Sequence, residues 1–125
     1  MKAWRIIILG IICCLALAAC GDKKEHAVHT KYKPTMDVKW KVEGSKLIVD
    51  VITDMHISPE HYGQGRKEGE GHIHMYLDDG EKIGVKAGHK EFEDLKPGRH
   101  VLKVSLHNND HTPYDVTKTI EFEIR

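Results

Sequence analysis

The chain has 125 residues with 19 basic, 19 acidic and ten histidine side chains, enough for an N-terminal leader and one domain but not two. Cys13, Cys14 and Cys20 all lie at or before the leader's end, which excludes a disulfide, a zinc ribbon, an iron–sulfur cluster and a cysteine nucleophile from that domain. Without Lys2 and Arg5 the balance is 17 basic against 19 acidic, a near-neutral surface unsuited to holding nucleic acid.

Residues 1–5 are basic and residues 6–19 are apolar. A run of about 14 is too short for a membrane-spanning helix, which needs about 20 residues. Residues 1–19 therefore read as a secretory signal. The run ends in Leu17-Ala18-Ala19-Cys20, which resembles the bacterial lipobox. That resemblance implies acylation of Cys20 and a lipid anchor on the extracytoplasmic face of the cell membrane. Residues 20–34 are polar, lack a hydrophobic period and end at Pro34, as expected of a tether. The folded domain is expected over residues 35–125.

From Met36 the hydrophobic period is two. Met36, Val38, Trp40 and Val42 share one face, with Trp40 expected in the core, and Glu43-Gly44-Ser45 turns the chain. Leu47, Val49 and Val51 mark a second strand, followed by a long polar stretch over residues 53–71. Ile73, Met75 and Leu77 mark a third strand, and Asp78-Asp79-Gly80-Glu81 signals a hairpin with Asp79-Gly80 at its centre. Ile83 and Val85 return, and a short strand surrounds Phe92. Lys96-Pro97-Gly98 suits a type II turn. Leu102, Val104 and Leu106 form a sixth strand, and Ile120, Phe122 and Ile124 the last. Seven strands without a helical period predict an all-β, immunoglobulin- or fibronectin-III-like sandwich.

That topology predicts where the histidines fall. Of the eight in the domain, His56, His61, His72, His74, His89, His107 and His111 are expected at one end and His100 at the other. Alternation turns His72, His74 and Tyr76 away from the core, and likewise His107. Antiparallel pairing of the third and sixth strands makes His72 or His74 a cross-strand neighbour of His107. Two histidines at i and i+2 project the same way about 6–7 Å apart. His72, His74, His107 and His111 are therefore candidate metal ligands, with Met55, His56 and Asp110 as further candidates. The competing readings are a buried hydrogen-bond network and ordinary surface histidines.

Gly71-His72-Ile73-His74-Met75-Tyr76-Leu77-Asp78, Leu95-Lys96-Pro97-Gly98-Arg99-His100-Val101-Leu102 and Asn109-Asp110-His111 together resemble small extracytoplasmic bacterial immunoglobulin-like domains. Among these are the YtkA-like and CopC-like copper-handling sandwiches. The resemblance covers residues 71–124 and implies copper handling. The N-terminal histidine ligand of the CopC pattern has no counterpart, because the expected mature start is Cys20.

Two functions are expected in order. The first is a lipid-anchored metal-binding module, with copper favoured over zinc for imidazole ligands. The second is an adhesion or assembly module that meets an envelope protein through its loops. No enzyme is expected: there is no nucleophile elbow, phosphate loop or H-E-x-x-H.

Overall fold

The computed structural model describes residues 31–125. The expected signal peptide, the expected lipidation site Cys20 and most of the expected tether lie outside the described residues. Among them are eight strands: β1 (Met36–Glu43), β2 (Lys46–Thr53), β3 (His56–Ile57), β4 (Glu70–Leu77), β5 (Ile83–Val85), β6 (His89–Phe92), β7 (Gly98–His107) and β8 (Pro113–Ile124). The seven expected strands are present. The eighth, β3, is a two-residue piece within the stretch read as loop, followed by a short 3-10 turn at Pro59–His61.

The strands form two sheets. One has the order β1-β2-β6. In the other, β3, β4, β7 and β8 follow one another and β5 also pairs with β4. Strand β4 is thus flanked by β7 on one side and by β3 and then β5 on the other. The period-two residues of the two sheets meet between them. Leu47, Val49, Ile73, Met75, Leu102, Val104 and Leu106 are fully shielded from solvent there. This is the expected sandwich, and its core lies on one face of β4.

Local chemistry explains the turns. Gly44 takes the positive φ that the first hairpin needs, at 60°. The Asp78 turn departs from expectation by one residue. Asp78 and Asp79, at φ 51° and 55°, form its centre, and Gly80 N–H donates to the Leu77 carbonyl at 2.9 Å. Asp78 has a reason to adopt that conformation. Its backbone N–H reaches the Val101 carbonyl at 2.8 Å, and its carboxylate accepts from Val101 N–H and pairs with His100.

Two further expectations change. Trp40 is not core: it is 42% exposed at the edge strand β1, with its ring 6.2 Å from Phe122. The segment assigned to the tether also joins the domain at its end. Tyr32 packs edge-on against Tyr114 at 5.9 Å, and Pro34 is buried.

Candidate metal centre

Strand β4 carries His72 and His74 on the face away from the main core. The register places His72 opposite His107 and His74 opposite Ser105, as antiparallel pairing of β4 and β7 requires. That face is nevertheless not solvent. His72 is 0% and His74 2% exposed. The cover is the 53–71 loop, which folds over β4, together with the turn that follows β7. The Tyr62 ring lies 4.5 Å from the His72 ring and 4.7 Å from that of His111.

The loop is held there by a polar lock that the sequence did not announce. Ser58 Oγ donates to Asn109 Oδ1 at 2.8 Å, and Asn109 Nδ2 donates to Glu70 at 3.3 Å. Glu70 also pairs with His61 at 2.6 Å and Lys67 at 2.7 Å. The Lys67 ammonium first, and then His61, hold the Glu70 carboxyl down at about 2. Backbone bonds reinforce the lock. Ser58 N–H reaches the Gly71 carbonyl at 2.9 Å, and Gly63 N–H the Asn109 carbonyl at 2.8 Å. No periodicity or motif marks Ser58 or Tyr62 in advance, and none gives Asn109 this role, because their partners lie far away in sequence.

Three ring nitrogens converge beneath this cover. His72 Nε2 lies 2.9 Å from His74 Nε2 and 3.1 Å from His111 Nδ1. One nitrogen from each of the three residues falls within 4.8 Å of the others. Burial, with the neighbouring imidazoles next in effect, pushes His72 down to about 4 and His74 down to about 3. Both rings are therefore neutral at pH 7 and have a lone pair to offer. In a tetrahedral zinc or copper site with bonds of about 2.0–2.1 Å, two ligand nitrogens stand about 3.3 Å apart. The two distances from His72 Nε2 need to lengthen by only a few tenths of an ångström to match that spacing, and the third pair lies within 4.8 Å.

His107 stands across from His72 as expected, but its nitrogens are engaged elsewhere. Its Nδ1 is 2.9 Å from the His111 carbonyl, which can only accept, so that nitrogen carries the proton. Nε2 then accepts from the Ser105 hydroxyl at 2.9 Å. The ring stacks on His74 at 3.8 Å between centroids. His107 thus supports His74 and ties down the turn that presents His111. Burial lowers its pKa as well.

The additional candidates are not brought to the three rings. Met55 is buried in the apolar core. His56 is exposed, 3.6 Å from Glu60. Asp110 is bound by Thr112 and Arg66; the Thr112 hydrogen bond first, and then Arg66, hold its carboxyl down at about 2. The remaining histidines among the described residues are paired elsewhere: His61 with Glu70, His89 with Asp50 on the three-stranded sheet, and His100 with Asp78. The gathering expected at one end thus narrows to His72, His74, His107 and His111.

The chain is similar in structure to two bacterial PKD1 domains. The PKD1 domain of Epp from Vibrio anguillarum aligns with a TM-score of 0.51 and 7% identity, covering 76% of this chain and 96% of that one. The PKD1 domain of the metalloprotease PrtV from Vibrio cholerae aligns with a TM-score of 0.51 and 11% identity, covering 74% and 98%. The fold is an immunoglobulin-like β-sandwich. At this identity the likeness speaks for the fold alone. No protein-family model matches the chain, and no curated protein matches it in sequence. The resemblance to YtkA-like and CopC-like proteins therefore gains support for its sandwich and none for copper.

Proposed function

We propose that the chain is a cell-envelope module, lipid-anchored through Cys20, that binds one divalent transition-metal ion through His72, His74 and His111. The observation that carries this reading is the convergence of three ring nitrogens, two of them on fully buried, neutral rings. A set of imidazoles suits Cu(II) and Zn(II), and the order of affinities favours copper. The fourth position is left for water or an incoming ligand.

Calorimetric titration of the full chain in detergent with Cu(II) and Zn(II) tests it. The expected result is one ion per chain, with Cu(II) the tighter. His111→Ala should weaken binding strongly while leaving the circular dichroism spectrum unchanged, because His111 is only half-buried. Binding no tighter than about 0.1 mM in the parent would overturn the reading.

A second reading is an adhesion or assembly module. It is favoured by exposed apolar side chains, Trp40 at 42% and Val101 at 38%, that line one groove with Arg99 and Glu121. The 53–71 loop is already engaged over the histidines. A partner would therefore be met at this groove. A silent metal titration is the outcome that would favour it.

A further inference from the structure

We infer that the ion is cargo rather than a resident cofactor, and that it comes and goes by ligand exchange at His111, past the Tyr62 ring. This rests on the metal-binding reading above and goes on to specify how the site is used.

The three ligands are not equivalent. His72 and His74 stand on β4, a strand paired on both sides, and their rings are sealed from solvent. His111 sits instead in the turn after β7, half-buried, with a positive φ of 69° that a non-glycine residue rarely adopts. The turn is closed by His111 N–H to the Asn108 carbonyl at 2.9 Å and by Asn108 N–H to the Thr112 carbonyl at 2.8 Å. One ligand thus faces the outside while two stay fixed.

The surroundings of the buried rings support exchange over retention. His72 Nδ1 and His74 Nδ1 are buried and have no hydrogen-bond partner among the described residues. An ion on the two Nε2 atoms places a proton on each Nδ1, and none of the described residues accepts it. Metal-bound histidines in long-lived sites almost always donate that N–H to an acceptor, and losing such a partner costs about 10–100-fold in affinity. This site forgoes that support twice.

The cover is suited to a gate. The Tyr62 ring packs on both His72 and His111, and it follows directly on the 3-10 turn. Gly63, next in sequence, has a φ of +78° and lies beside His111 Nε2. The Tyr62 hydroxyl rests over Gly84 of β5, where an added Cβ would come to 3.0 Å. In the exchange step an incoming donor's lone pair bonds the ion as His111 Nδ1 leaves with its own. His72 and His74 stay bound until the ion departs, and no electron is transferred.

Stopped-flow release of Zn(II) from the full chain in detergent to a chromogenic chelator, 4-(2-pyridylazo)resorcinol, tests this. The rate should rise in proportion to chelator concentration. Tyr62→Ala should speed release about tenfold, equivalent to about 1.4 kcal/mol off the exit barrier, while Tyr62→Phe keeps the parental rate. Gly84→Ala, which pushes the phenol aside from a different strand, should speed it to a lesser degree and keeps the test open should Tyr62→Ala not fold. A rate independent of chelator, or no acceleration in the folded gate variants, would overturn the exchange proposal alone. Failure to load zinc in the preceding titration would overturn the metal reading with it.

Discussion

At the scale of single residues, Gly71 and His107 decide how closely the site can be built. A Cβ on Gly71 would meet the His107 carbonyl oxygen at 2.0 Å and Met55 Sδ at 2.9 Å, so only glycine lets β4 pass β7 at that point. Gly71→Ala should destabilise the domain by about 1–3 kcal/mol, read as a lower urea midpoint, since backbone must shift to relieve the overlap. His107 and His74 make a contrasting pair. His107 spends its nitrogens on Ser105 and the His111 carbonyl, whereas His74 points Nε2 at the centre of the three rings. His107→Ala should therefore lower Zn(II) affinity about 10–100-fold, as loss of a supporting partner does, and His74→Ala should abolish it. Calorimetry on both variants distinguishes a supporting residue from a ligand; equal losses would make His107 a ligand after all.

At the scale of elements, the 53–71 loop turns an outward-facing strand face into an interior. The alternation of Ile73, Met75 and Leu77 was enough to place His72 and His74 on the far face of β4, and strand pairing was enough to set His72 against His107. Period-two reasoning stops there, because it describes one sheet and not what covers it. The cover depends on Ser58 meeting Asn109 and on Asn109 meeting Glu70, contacts across 51 and 39 positions that no local pattern encodes. The same limit explains Trp40, whose place in the alternation suited the core but whose strand lies at a sheet edge. If Asn109 is the link, Asn109→Ala should cost about 1–3 kcal/mol by leaving Ser58 and Glu70 with an unmade bond each. Amide hydrogen exchange should rise across residues 58–63 well before it rises in β7. Uniform exchange across both segments would mean that the loop has no separate opening.

At the scale of the whole molecule, the histidines set an opposite course for acid and base. In the metal-free domain His72 and His74 titrate at about 4 and about 3, below the ordinary value of 6.5 that they regain on unfolding. Between those limits the unfolded chain binds more protons than the folded one, so stability falls as pH falls. The contribution is complete above pH 6.5 and is lost on the way down to about pH 3–4. For His72 alone the shift corresponds to about 3 kcal/mol, a large part of the 5–15 kcal/mol typical of a domain. Glu70 and Asp110, each held at about 2 by basic and hydrogen-bonding partners, add a second loss below about pH 4.5. His89 and His100 work the other way. Asp50 raises the first, while the Lys96 carbonyl and then Asp78 raise the second, so their contribution is present in acid and lost as pH rises through their folded values. Both are near the surface and screened, so the buried pair prevails. Urea unfolding of the metal-free chain should thus show its midpoint falling steadily from pH 7 to pH 4.5. His74→Gln should flatten that slope, because a neutral amide takes up no proton in either state. A parental midpoint unchanged between pH 7 and pH 5 would mean that the two rings are open to water, and the interior on this face of β4 would have to be redrawn.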